Sequence, residues 1–202
     1  MSYIVGITGG IATGKSNLTR ALTECGARVA DADRISRSLT ANNGQALEGI
    51  RRQFGDSVFN GGMLDRKALG SIVFSDPAAL AQLNTLMHPL IRAEVRRQIK
   101  KASDEGLPVL FIDAPLLYET GLDSFCDEVW CAWVPRQIQL ERLMSRDHLS
   151  KADALARMNS QMSAWKKRLK ADRFIDTRRT LEESGQIAVN MYRALLKKLT
   201  GE

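Results

Sequence analysis

Apolar residues follow two rhythms along this chain. Short apolar runs occupy residues 3–8, 109–112 and 129–134, and each predicts a buried strand of the parallel-sheet type. Residues 27–30 predict a further short strand. Phe174-Ile175 predicts a fifth, shorter strand. Elsewhere apolar positions recur three and four residues apart. That spacing predicts helices over 16–24 (ended by Gly26), 64–73, 77–86, 89–102, a stretch after Pro135, and 187–199. Asp76 suits an N-cap, with Pro77 at the first helical position. Within 89–102, Ile91, Val95, Ile99 and Ala102 share one face, while Arg92, Arg96, Arg97, Lys100 and Lys101 lie elsewhere. Strands alternating with helices predict an α/β fold on a five-stranded parallel sheet. The helical stretch between the second and third strands exceeds an ordinary crossover and predicts an inserted subdomain.

Composition narrows the class. A chain of 202 residues with 44% hydrophobic and 26% charged residues fits one globular domain with room for an insertion, and excludes disorder and low-complexity arrays. No apolar run approaches the roughly 20 residues of a membrane span, and no basic-then-apolar opening reads as a signal peptide. Cys25, Cys126 and Cys131 are an odd set without framework spacing, and two histidines supply a structural zinc site poorly. Free thiols and a reducing, cytoplasmic compartment are expected. The formal charge of +6 is localised: residues 136–173 hold ten cations and four anions, so the rest of the chain nets zero. A basic segment on a neutral body suits an anionic ligand bound at one place, although a solvated helix face has the same composition.

The chemistry starts at Gly9-Gly10-Ile11-Ala12-Thr13-Gly14-Lys15-Ser16, which has the form G-x-x-x-x-G-K-[ST]. A buried strand precedes it and an amphipathic helix follows. Glycines let backbone N–H groups wrap a polyphosphate, and the helix N-terminus adds partial positive charge. Lys15 is placed to reach the β- and γ-phosphates, and the Ser16 hydroxyl to ligate Mg²⁺. An Asn-Lys-x-Asp, a D-x-x-G and a G-x-G-x-x-G are all absent, which disfavours a GTPase switch and a dinucleotide enzyme. A small-molecule kinase remains.

Ligands of open α/β sheets sit beyond the carboxyl ends of the strands. Asp31 and Asp33 end the second strand and Asp113 the third. A phosphoryl acceptor needs a carboxylate to orient its hydroxyl and take its proton. Asp33 is the candidate, against a helix N-cap role before Arg34. Asp113 can serve Mg²⁺ through water or a structural turn. His88, before Pro89, suits either helix entry or a substrate contact. After Pro135, Gln139, Arg142 and Arg146 fall on one helix face, and guanidinium forks fit phosphate oxygens. The charged stretch from Arg142 to Arg168 suits a lid that keeps water out. Cys126 and Cys131 read as buried apolar residues.

These residues together resemble the dephospho-CoA kinase family. The resemblance rests on Ile7-Thr8-Gly9-Gly10 through Ser16, Asp31-Ala32-Asp33, Phe54-Gly55, Leu64-Asp65-Arg66, Leu83-Asn84, His88-Pro89, Pro115-Leu116-Leu117-Tyr118-Glu119, Gln139-Leu140-Glu141-Arg142, Arg146-Asp147 and Gln161. It implies a P-loop NTPase core (1–33, 104–136, 172–202), an inserted helical CoA-binding subdomain (34–103) and a helical lid (137–171). It implies transfer of the ATP γ-phosphate to the ribose 3′-hydroxyl of dephospho-CoA. By the resemblance, Asp33, Lys15 and Arg142 are catalytic. Gly9 to Asn17 with Arg142 and Arg146 bind ATP. Thr8, Asp31, Asp33, His88, Leu116, Leu117 and Glu119 bind the acceptor, and Ser16 meets the metal. Partners are ATP and dephospho-CoA, without nucleic acid or membrane, on a monomer or weak homo-oligomer. Two departures stand out. Ala12 replaces the family's usual glycine, a strained choice if that position needs positive φ. Thr177-Arg178-Arg179 replaces an Asn followed by small residues on the adenine side. Competing readings are another small-molecule or nucleoside monophosphate kinase, and a nucleic-acid-stimulated ATPase.

Overall fold

The computed structural model describes residues 1–201. In chain order the elements are β1 (Tyr3–Gly9), α1 (Lys15–Glu24), β2 (Arg28–Asp31), α2 (Ala32–Leu39), α3 (Leu47–Phe54), β3 (Phe59–Asn60), β4 (Met63–Leu64), α4 (Arg66–Ser75) and α5 (Pro77–Asp104). Then follow β5 (Val109–Asp113), β6 (Glu128–Trp133), α6 (Arg136–Asp147), α7 (Lys151–Asn159), α8 (Ala164–Lys170), β7 (Arg173–Asp176) and α9 (Leu181–Thr200).

The expected five-stranded parallel sheet is present, in the order β2-β5-β1-β6-β7. β1 is its centre, in parallel register with β5 on one side (Ile7 opposite Asp113) and β6 on the other (Ile7 opposite Trp130). Every residue of β5 is buried, and all of β6 but its last. That is why both read as continuous apolar runs. One face packs on α1 and α9: Val5, Ile7, Val109, Phe111, Trp130 and Ala132 meet Leu18, Leu22, Ala188, Tyr192 and Leu195. Phe111 sits at the middle, edge-on to both Trp130 and Tyr192 at 5.4 Å between ring centroids. α1 and α9 approach so closely that a Cβ on Gly185 would lie 2.9 Å from Ala21 Cβ.

The chain divides into two units. One comprises Met1–Ala30 and the chain from Ile99 onward; the other is Asp31–Gln98. In the second, Arg66 donates to Thr40 Oγ1 at 2.7 Å and to the Arg37 carbonyl at 3.1 Å, tying the start of α4 to the end of α2. Asp65 caps α4 by accepting from the Lys67 and Ala68 N–H groups. The antiparallel pair β3–β4 and helix α3, neither of which the hydrophobic pattern predicts, complete it.

Three expected boundaries move. The helices expected over 77–86 and 89–102 are one helix, α5, with Pro89 inside it. Proline there removes the N–H that would bond to the Thr85 carbonyl, at a cost of about 3 kcal/mol, yet the amphipathic turns on both sides carry the helix through. α2 starts at Ala32, not Arg34, because Asp31 is its N-cap and accepts from Arg34 N–H at 3.0 Å. α9 starts at Leu181, not Ile187, because Thr180 and Glu183 form a capping box. The Asp76 cap is present, accepting from Ala78 N–H at 2.8 Å. No helix among the described residues is long and apolar enough to cross a membrane.

Phe111 is fully buried between two aromatic rings. Phe111→Ala is expected to lower the unfolding free energy by about 3–5 kcal/mol, read from the midpoint of denaturant unfolding.

Candidate active site

The turn from β1 to α1 is built by backbone demands. Gly14 has φ 86° and precedes a helix with no acidic residue in its first turn. The positive end of α1 is therefore left for an anion. At Gly10 a Cβ would lie 2.6 Å from Gln139 Nε2, so a larger residue would displace that amide. Ala12 does adopt positive φ, at 58°. It accepts a left-handed conformation that costs an L-residue about 1 kcal/mol or more. Ile11 and Ala12 also pack against Leu140, Leu143, Ala154 and Met158 of α6 and α7.

Behind the loop, three carbonyls are held by named donors. Thr13 Oγ1 donates to Gly10 O at 2.8 Å, Gln139 Nε2 to Ile11 O at 2.7 Å, and Thr177 Oγ1 to Thr13 O at 2.6 Å. Arg142 in turn donates to the Thr177 carbonyl at 2.8 Å. In front, Lys15 Nζ rests on the Asp113 carboxylate, whose other oxygen accepts from Thr19 Oγ1 at 2.9 Å. The Ser16 side chain is exposed and engages no hydrogen bond among the described residues. Asn17 donates its amide to Leu181 O at 2.6 Å, joining α1 to the start of α9.

The 115–119 turn is pinned from two directions. Buried Thr8 donates to Pro115 O at 3.1 Å. Lys167 of α8, with 0% of its side chain exposed, donates to the same carbonyl and pairs with Glu119 at 2.9 Å. Glu119 also accepts from Met162 N–H at 2.9 Å. Leu117 is fully buried beneath β1, where a Cβ on Gly6 would lie 2.8 Å from its Cδ2. Leu116 is 39% exposed. Thr8, Leu117 and Glu119 therefore build the turn, and Leu116 is the apolar side chain it presents.

Part of the basic stretch is structural. Arg168 lies over Trp133, Trp165 and Phe174 at 4.3, 5.1 and 4.0 Å from their ring centroids, fastening α8 to the β6–β7 edge. Arg146 is turned to Asp147 at 2.7 Å, and Arg157 meets the same carboxylate at 3.0 Å. The hydrogen bond from Arg146 holds the Asp147 carboxyl below its ordinary range. Gln139 and Arg142 thus reach the phosphate loop and its surround, while Arg146 is engaged by its neighbour. Burial pushes the Cys126 and Cys131 thiols up to about 12.

Asp31, Asp33 and His88 belong to the 31–98 unit. Asp31 caps α2, and Asp33 is exposed in its first turn. His88 is inside α5, where burial and then Arg92 lower its pKa, so it is neutral at pH 7. The burial of Lys167 and the bond from Thr177 to the Thr13 carbonyl lie beyond sequence reasoning. Nothing in the row Lys166-Lys167-Arg168 singles out the cation that becomes buried.

A family model described as dephospho-CoA kinase matches residues 3–183. A dephospho-CoA kinase of Symbiobacterium thermophilum is 45% identical over 182 residues, covering 90% of this chain and 76% of that protein. The crystal structure of TT1252 from Thermus thermophilus superposes with a TM-score of 0.79 at 33% identity, over 96% of this chain and 97% of that one. A dephospho-CoA kinase from Campylobacter jejuni superposes with a TM-score of 0.75 at 29% identity, over 100% of this chain and 99% of that one.

Three substitutions at two positions check the strain and the buried pair. A β-branched residue tolerates positive φ worst, so Ala12→Val is expected to lose about 2 kcal/mol while Ala12→Gly stays within about 1 kcal/mol. Glu119→Gln leaves the Lys167 charge buried without its counter-ion and is expected to cost about 3 kcal/mol. Denaturant unfolding measures all three.

Proposed function

The chain belongs to the dephospho-CoA kinase family, and from that membership we propose how its residues divide the work. The reaction is ATP-dependent phosphorylation of dephospho-CoA, in coenzyme A biosynthesis. The acceptor is the ribose 3′-hydroxyl, and the products are coenzyme A and ADP. The observation that carries the reading is the phosphate loop, with Lys15 on the Asp113 carboxylate beside it.

Arriving phosphate oxygens draw Lys15 from Asp113, and the loop N–H groups and the α1 terminus hold the β- and γ-phosphates. Arg142 turns to the transferred group and offsets the charge spread over its oxygens. Asp33 orients the acceptor hydroxyl and takes its proton. The hydroxyl oxygen bonds to the γ-phosphorus as the bond from that phosphorus to the β,γ-bridging oxygen breaks, and that oxygen leaves with ADP. Ser16 and Asp113 supply hard oxygen donors that fit Mg²⁺, which when bound neutralises charge on the β- and γ-phosphates.

His88, Asp31 and Leu116 line the acceptor site in this reading, with residues 34–103 as the acceptor-binding subdomain. Neutral His88 acts as a hydrogen-bond partner rather than a cation. Residues 137–171 form the lid that keeps water from competing as acceptor. The cytoplasm, where three free thiols stay reduced, is the compartment that suits the chain.

Mass spectrometry of dephospho-CoA incubated with enzyme, ATP and Mg²⁺ is expected to show a product heavier by one phosphoryl group, on the 3′ position. Dephospho-CoA returned unchanged defeats the reading. Asp33→Asn is expected to lower kcat by about a hundredfold or more with the ATP KM little changed, and Arg142→Ala to lower kcat by a comparable factor. Steady-state kinetics with each substrate varied in turn separates the two effects.

A further inference from the structure

An anion-binding turn has a problem that its glycines do not solve. Each peptide that aims an N–H at the phosphates has a carbonyl neighbour, and a carbonyl turned the same way would repel them. The loop must therefore keep its carbonyls facing backward, even before nucleotide arrives. Buried carbonyls are paired in folded proteins, so donors placed behind the loop decide which way its peptides face.

In this chain two of those donors come from distant elements. Gln139 of α6 holds Ile11 O, and Thr177, just after β7, holds Thr13 O. Both residues are buried, at 5% and 4% exposure. Thr177 is itself anchored, its N–H donating to Trp133 O at 3.0 Å. Its side chain lies so near Gly14 that a Cβ there would come within 3.3 Å of Thr177 Cβ and Oγ1. Arg142, one helical turn after Gln139, closes the arrangement by donating to Thr177 O. The ring runs from the loop through α6 to the β7–α9 turn and back to the loop.

We propose that Gln139 and Thr177 are positioning residues for the phosphate loop, holding the Ile11 and Thr13 carbonyls turned away so that the loop's N–H groups are aimed before ATP binds. They touch no reacting atom and act through the loop alone. The inference rests on the same nucleotide site as the proposed function, and its readout is ATP binding rather than turnover. Loss of the phosphoryl-transfer assignment and loss of this inference are therefore distinguishable.

Thr177→Val keeps the side-chain shape and removes the hydroxyl; Thr177→Ser keeps the hydroxyl and removes the methyl. Binding of ATP with Mg²⁺ to the full chain is titrated without acceptor, and KM is then measured for both substrates. Thr177→Val is expected to weaken ATP binding about tenfold, by loss of one buried hydrogen bond. The acceptor KM stays within about twofold, and Thr177→Ser restores ATP affinity. Gln139→Met weakens ATP in the same way, and carries the test should Thr177→Val not fold. Combined, the two changes are expected to cost less than their product, since both release one loop. Unchanged ATP binding in both single variants overturns the proposal. So does equal loss in Thr177→Ser and Thr177→Val, or a parallel rise in both KM values, because each of those reports general loosening.

Discussion

A phosphate-binding turn stores its function in the direction of a few peptide planes. Everything else in the larger unit can be traced to keeping those planes aimed. β1 runs through the middle of the sheet with paired strands on both sides, so the point where the chain leaves it cannot drift. α1 and α9 clamp one face through Phe111, Leu22 and Tyr192. α6, α7 and the turn after β7 then close over the loop, and the contacts they make there are hydrogen bonds to carbonyls as much as apolar burial. Strain at Ala12 fits the same picture: surrounding structure holds a conformation that the residue would not choose alone.

Charge in this molecule is less free than its +6 suggests. Lys15 already has a carboxylate partner. Lys167 is buried and paired, Arg168 is enclosed by aromatic rings, and Arg146 and Arg157 share Asp147. Arg142 differs. The residue is half-buried and its guanidinium donates to a neutral carbonyl. A cation held by a dipole gives up its partner more readily than one held by an anion, which suits a side chain required to change partners when phosphate arrives.

Much of the framework was legible from the order of residues, for reasons that can be named. Strands buried on both faces must be apolar throughout, so 109–112 and 129–134 announced themselves. The phosphate loop was legible because its glycines answer a local backbone demand. Pro89 misled because its effect is also local, whereas the continuity of α5 depends on turns either side. The roles of Gln139, Thr177 and Lys167 were not legible. The bonds from Gln139 and Thr177 to the loop span 128 and 164 residues, and no local pattern encodes a partner so far away. The resemblance gives Leu117 and Glu119 with Leu116 to the acceptor; in the structure Leu117 packs beneath β1 and Glu119 pairs with Lys167, partners that no local pattern encodes.

The aromatic enclosure of Arg168 has an optical consequence. Of the chain's three tryptophans, Trp130 is sealed in the core, while Trp133 and Trp165 stand 6.4 Å apart and both contact that guanidinium. Native ultraviolet emission therefore divides into one sheltered fluorophore that reports on the sheet and one coupled pair that reports on where α8 sits. The protein carries its own spectroscopic gauge of that helix, with no dye attached.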